Sequence, residues 1–217
     1  MAEQNYLKAI ELKPNYPTAH HWYGELLTMM GRFEEAYVEL QIAQELDPLS
    51  LAINVDLAAS FYYARDYKRS ERQLLDLLEL NASFVRAHVI LGKLYVQKGE
   101  FAKAIEVLQK AVELSGQDPV TMAALAHAVA SAGNTTEAQR LVDDLHTPAN
   151  QRYVSAYHIG EVYAGLGQKD QAYEWLDRAY KNRDIELIWL KVSPVFDSVR
   201  CESRFTDLMR AVNPALL

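Results

Sequence analysis

The sequence predicts an all-α fold built from repeated antiparallel helix pairs, a solenoid, and three ladders of residues predict it. Small residues recur every 34 positions at Gly24, Ala58, Gly92, Ala126 and Gly160. A second ladder with the same step runs through Ala2, Ala36, Ser70, Ala104, Ala138 and Ala172. The third, Gly31, Arg65, Gly99, Gly133 and Gly167, stands where a chain leaving one helix needs a residue that accepts positive φ. Arg65 departs from that ladder, and a left-handed arginine costs on the order of 1 kcal/mol. No insertion breaks the register, and self-similarity at such a period marks a repeat array.

Residues 1–16 read as the second helix of an incomplete pair, because Ala2, Tyr6, Ala9 and Pro14 follow the second-helix pattern. A start at that point leaves one apolar face without its partner, so the parent protein is expected to continue upstream. The alternatives are that the lone helix caps the array or pairs in a homodimer. Residues 17–184 read as five full pairs. From Pro17 to Pro48, Tyr23, Gly24 and Leu27 share one face of a first helix and Gly31 turns the chain. Phe33, Ala36, Leu40 and Ala43 then form the buried stripe of a second helix at 3.6 residues per turn. Glycine or alanine at the crossing lets the two backbones approach, so a bulkier side chain there is costly. The unit recurs with Leu57, Ala58, Phe61, Ser70 and Leu74, and again with Leu91, Gly92, Tyr95, Ala104, Leu108 and Ala111. Asp118 before Pro119 places a capping carboxylate ahead of a proline at the first helical position. Residues 185–217 change character. Ile185 to Val192 is an apolar run, Ser193-Pro194 offers a cap and first turn, and Phe196, Val199, Phe205, Leu208 and Met209 form a stripe suited to cover the last repeat.

Half of the 217 residues are apolar, enough for a continuous core. The 22 basic and 29 acidic residues give a net charge of -7, and no basic stretch interleaved with aromatics argues for nucleic acid. Neither a signal-peptide pattern at the N-terminus nor a membrane-spanning apolar run is present, so no membrane insertion is expected. The lone Cys201 excludes an intrachain disulfide and has no histidine near it in sequence to activate it as a nucleophile. The glycines do not form a phosphate-binding loop, and no cofactor is expected. His158 and Glu161 share one helix face, but no second His/Glu pair stands in register to complete a metal site, so they read as a solvated or groove-facing pair. His20 and His21 point about 100° apart on a helix, so one packs inward and the other faces the groove. The sequons at Asn81 and Asn134 read as chance.

Residues 2–184 resemble the tetratricopeptide repeat family, and the resemblance implies a right-handed superhelix. The family's frequent tryptophan is replaced at His20, Asn54, His88, Met122 and Ala156. The closing segment, Trp189 to Val192, Pro194 to Arg200 and Ser203 to Phe205, is similar to the tetratricopeptide tail of bacterial multidomain signalling proteins, as are Ala19 to Glu25 and Tyr153 to Tyr157. Such proteins carry a winged-helix regulator, a serine/threonine kinase or a nucleotide cyclase upstream. That resemblance implies a cytoplasmic protein, or a periplasmic one if the parent is membrane-anchored.

The family's concave face is lined by first helices, and by register this implies Thr18, His21, Trp22, Glu25 and Met29 in the first full repeat. Asp56, Tyr62 and Tyr63 follow, then Arg86, Lys93 and Gln97, then His127, Tyr157, His158 and Glu161. Exposed Trp and Tyr beside Arg carry binding energy, which singles out Trp22, Tyr63 and Arg86. The competing expectation is that Trp22 and Tyr62 pack on neighbouring repeats. The carboxylate clamp of the family's chaperone-binding members is missing, since the corresponding positions hold His21, Glu25, Asp56, Arg86 and Ile90. The expected function is therefore a non-enzymatic scaffold that binds a protein or peptide of mixed charge in its groove. The alternative is a regulatory or oligomerising tail acting on its own N-terminal domain. For the groove, Trp22→Ala or Arg86→Glu is expected to abolish capture while the chain stays folded and monomeric.

Overall fold

The computed structural model describes residues 2–147 and 152–212. Met1 and residues 213–217, at the ends of the expected 1–16 and 185–217 segments, lie outside it. The described residues form α-helices and short 3-10 turns, without strands. The chain divides into two compact units, residues 1–87 and 88–217, with the boundary inside one helix.

The first unit holds α1 (Ala2–Leu12), α2 (Pro17–Met29), α3 (Phe33–Leu46), α4 (Leu51–Tyr63), α5 (Tyr67–Leu80) and the first turn of α6 (Val85–Gln97). Each helix of this unit from α2 to α5 packs on the one before it, and α2 also touches α4. Tyr23, Leu27 and Ala36 form a buried cluster on which Tyr6 and Ile10 of α1 lean. The next cluster is Leu40, Leu57 and Phe61, flanked by Tyr37 with its ring 5.4 Å from that of Phe61. Gly24 marks the α2–α3 crossing, where an added Cβ would lie 2.6 Å from Leu40 Cγ. In the next pair Ser70 makes the approach instead, donating its hydroxyl to the Ala58 carbonyl at 2.8 Å. The turns behave as the third ladder predicts: Gly31 has φ of 76° and Arg65 takes the same left-handed conformation at 63°. Ser50 and Asp66 accept bonds from Ile53 N and Arg69 N at the starts of α4 and α5.

The second unit holds the rest of α6, then α7 (Phe101–Ser115), α8 (Pro119–Ser131), α9 (Thr135–Leu145), α10 (Ala156–Gly165) and α11 (Lys169–Asn182). After them come 3-10 turns at Ile185–Trp189 and Pro194–Phe196 and a last helix, α12 (Ser203–Val212). Asp118 caps α8 as its sequence position predicts, accepting from Val120 N at 2.9 Å. Ala-rich α8 is buried along most of its length and packs on α7, α9 and α10. Gly165 lets α10 approach α8: a Cβ there would lie 2.9 Å from the His127 ring.

Ser193 makes no side-chain cap, and the apolar run before it is a 3-10 turn rather than a full helix. The stripe Phe196, Val199, Phe205, Leu208 and Met209 is buried, with Phe196 5.4 Å from the Tyr157 ring. Tyr173 donates its hydroxyl to the Val199 carbonyl at 2.9 Å, tying α11 to this segment. Asp184 joins the start of α10 to the end of α11. Its carboxylate accepts from Ser155 Oγ at 2.9 Å, from Tyr157 N at 3.2 Å and from the Tyr153 hydroxyl.

Candidate protein-binding site

In the first unit, α2, α4 and the start of α6 bring His21, Asp56 and Arg86 together. Asp56 is buried, and its two oxygens are taken separately. His21 Nε2 lies 2.7 Å from Oδ2, and the Arg86 guanidinium pairs with Oδ1. His21 is itself buried, whereas Arg86 keeps 46% of its side chain exposed. The indole of Trp22 stacks on the His21 ring at 5.5 Å and 27°, yet the residue is 49% exposed. Trp22 is therefore not spent on packing between repeats. Tyr62 is enclosed at 2% exposure, with half-buried Tyr63 edge-on to it at 5.2 Å and the Tyr67 ring of the same pair 6.1 Å away. Glu25 and Met29 follow Trp22 along the same face of α2, both partly exposed. Burial first, and then repulsion from Asp56, push the Glu25 carboxyl above its ordinary value, while Arg86 and His21 pull the other way.

In the second unit the first-helix residues predicted to face a partner, Gln97 apart, are turned inward. Lys93 of α6 places its Nζ 2.8 and 2.9 Å from the two oxygens of Glu161 in α10, and His158 Nδ1 lies 2.9 Å from Oε2. Glu161 and His158 are both buried, which corrects the expectation of a solvated or groove-facing pair. The physical reason is Lys93, whose ammonium makes ionised burial tolerable. Burial pushes the Glu161 carboxyl up, but the Lys93 charge and then the His158 hydrogen bond more than offset it, holding the group well below the usual carboxylate range. His127 of α8 is enclosed as well, with Nδ1 unbonded among the described residues, and burial above all lowers its pKa from 6.5 to about 4. Gln97 is partly exposed. Sequence reasoning missed this internal network, although its signal was present: Lys93, His127 and Glu161 stand 34 residues apart on successive first helices.

Both members of the His20-His21 pair turn inward, which corrects the expectation that one faces the groove. His20 Nδ1 lies 2.6 Å from Glu39 Oε2 and its Nε2 lies 2.8 Å from the Pro14 carbonyl. Asn54, the next residue in that register, likewise donates to the Pro48 carbonyl at 2.9 Å. Polar side chains thus hold the inter-repeat loops where a tryptophan is frequent in the resembled family. A cavity of about 220 Å³ also opens among α3, α4 and α5, lined by Tyr37, Gln41, Phe61, Arg69 and Arg72 among others. Arg69 lies over the Phe61 ring at 4.5 Å and so fills one wall. No group of three or more His, Cys, Asp or Glu among the described residues could hold a metal ion, and Cys201 is exposed. Among the described residues no helix is long and apolar enough to cross a membrane.

Paired helices at a fixed period, with the small-residue crossings and left-handed turns described above, define a helical-repeat scaffold. Models of the tetratricopeptide repeat match residues 5–37, 55–119, 95–157 and 153–183, and the chain belongs to that family. It is 30% identical over 115 residues to the tetratricopeptide repeat-containing protein trd-1 of Caenorhabditis elegans, covering 52% of this chain and 15% of that protein. It is 29% identical over 92 residues to the BBSome complex member BBS4 of Bos taurus, covering 42% of this chain and 18% of that one. The chain thus spans less than a fifth of either relative. In fold it is similar to a tetratricopeptide repeat protein of Parabacteroides merdae, with a TM-score of 0.70 at 14% identity over 97% of this chain and 76% of that one. TTC0263 of Thermus thermophilus matches with a TM-score of 0.63 at 16% identity over 89% and 99%. YrrB, described as having an unusual peptide-binding site, matches at 0.51 and 21% over 85% and 95%.

Proposed function

We propose that this chain is a non-catalytic scaffold that binds a peptide or helix of a partner protein on the first-helix face of its first unit. The observation that carries the reading is Trp22. A half-exposed indole, backed by a buried His21–Asp56 pair and placed among charged side chains, is a preorganised anchor of the kind that dominates binding energy. Arg86 is held by Asp56 while nearly half its side chain remains in solvent, which adds a fixed donor to the same face. Tyr63 contributes a partly exposed ring on α4. Lys93, His127 and His158 are assigned a different task, holding α6, α8 and α10 together, because their polar groups are enclosed with Glu161.

The test is selection from a random 12-residue peptide library displayed on phage, run in parallel on the wild-type chain and on Trp22→Ala. Recovery is expected to fall at least about tenfold in the variant, the effect of losing about 1.4 kcal/mol at an aromatic anchor. Equal recovery from both proteins would remove the groove reading. Arg86→Glu is a poor companion probe, contrary to the sequence expectation, because it sets a second carboxylate against buried Asp56 and so threatens the fold. Light scattering on the same samples addresses the oligomerising-tail alternative, which requires a concentration-dependent dimer indifferent to Trp22.

A further inference from the structure

Glu25 stands one helical turn after Trp22, which puts their Cβ atoms about 5–6 Å apart on one face of α2. No hydrogen bond or ion pair reaches its carboxylate among the described residues, although it is partly buried and close enough to Asp56 to be repelled by it. The basic side chains nearby are committed, since His21 and Arg86 both serve Asp56. This leaves a desolvated negative group beside an indole that has one face on His21 and is otherwise half open. An aromatic face next to a carboxylate that no ion pair reaches is the chemistry that receives an ammonium or guanidinium group.

The second unit shows the same position filled. Glu161 occupies the register of Glu25 four repeats on, and His158 occupies that of Trp22, again a ring followed three residues later by a carboxylate. There the ammonium comes from within the chain, Lys93 Nζ meeting both oxygens of Glu161. Beside Glu25 no side chain among the described residues takes that role. We propose that Trp22 and Glu25 form a receptor for one basic side chain, lysine or arginine, of the peptide that this face binds. The inference rests on the peptide-binding reading of α2 given above. It names the residue class that the site selects.

Four blocked tripeptides, Ac-Gly-X-Gly-NH2 with X as lysine, arginine, glutamate or norleucine, are titrated into 15N-labelled chain. The indole N–H of Trp22 is followed, assigned by its loss in Trp22→Phe. The lysine and arginine peptides are expected to give saturable shifts that weaken with added salt, and the other two none. Glu25→Gln, which disturbs no hydrogen bond, is expected to weaken the lysine peptide at least about tenfold with the remaining amide spectrum unchanged. An equal response to norleucine, no response to either cation, or unchanged binding by Glu25→Gln overturns the receptor. Phage selection separates the two readings. Peptides that depend on Trp22 but show no enrichment of lysine or arginine leave the groove standing and remove the basic-residue receptor alone. Selection indifferent to Trp22 removes the groove and the receptor with it.

Discussion

At the level of single residues, the crossing glycines are not equivalent. A Cβ on Gly92 would sit 2.7 and 2.8 Å from both Cδ atoms of Leu108, which is fully buried and cannot swing away. On Gly24 it would meet Leu40 Cγ at 2.6 Å, but on Gly160 only Leu176 at 3.3 Å. Gly92→Ala is therefore expected to lower stability by about 1–3 kcal/mol, and Gly160→Ala by less than about 1 kcal/mol, because overpacking is offset by alanine's better helix propensity only where room exists. Urea unfolding of the two variants checks the order, and equal losses would reject it. The same scale explains Trp22 and Tyr62. Both are aromatic residues on first helices, but one is half exposed and the other enclosed, and nothing in their residue type distinguishes them.

At the level of elements, helix ends were the most legible feature. Asp118 announced the start of α8, and the third ladder placed the turn inside each pair, including the left-handed Arg65, though not the left-handed turns at Gly116, Gln117 and Arg183. The cap of α10 was not legible, because its carboxylate, Asp184, lies 27 residues beyond the amide it accepts. Asp184→Ala removes bonds to Ser155, Tyr157 and Tyr153 together and leaves buried donors at the helix start. A loss of about 1–3 kcal/mol is expected, since unsatisfied buried donors cost more than a solvent-exposed cap. Hydrogen exchange should show the first turn of α10 losing protection before α8 does, and uniform loss would show that the cap acts globally. The Tyr153 hydroxyl, raised to about 12 chiefly by its bond to Asp184, should return toward its ordinary value in that variant.

At the level of the whole molecule, a repeat protein sums the stabilities of its units and their neighbour contacts, so a polar network spanning three first helices acts on the total. His127 is neutral when folded, with its pKa lowered to about 4, while the unfolded chain takes up a proton below 6.5. Stability is consequently expected to fall between pH 6.5 and 4 by at most about 3 kcal/mol from this residue, and to level off below that window. Glu161 adds a loss in the same direction at lower pH, as its depressed carboxyl is finally protonated. Replacing His127 with glutamine should flatten the upper part of the profile, as read from urea midpoints at pH 7, 5.5 and 4.5. A profile of unchanged slope would show that another group sets the acid response. The sequence by itself determined the helix pairs, their crossings and their turns, because these follow from backbone conformation and side-chain periodicity within one repeat. Only the tertiary structure decided how the charged residues of the first helices are used. Lys93 and Glu161 are 68 residues apart, and whether a carboxylate keeps a cation of its own or stands open to a partner depends on which helices meet around it and exclude water.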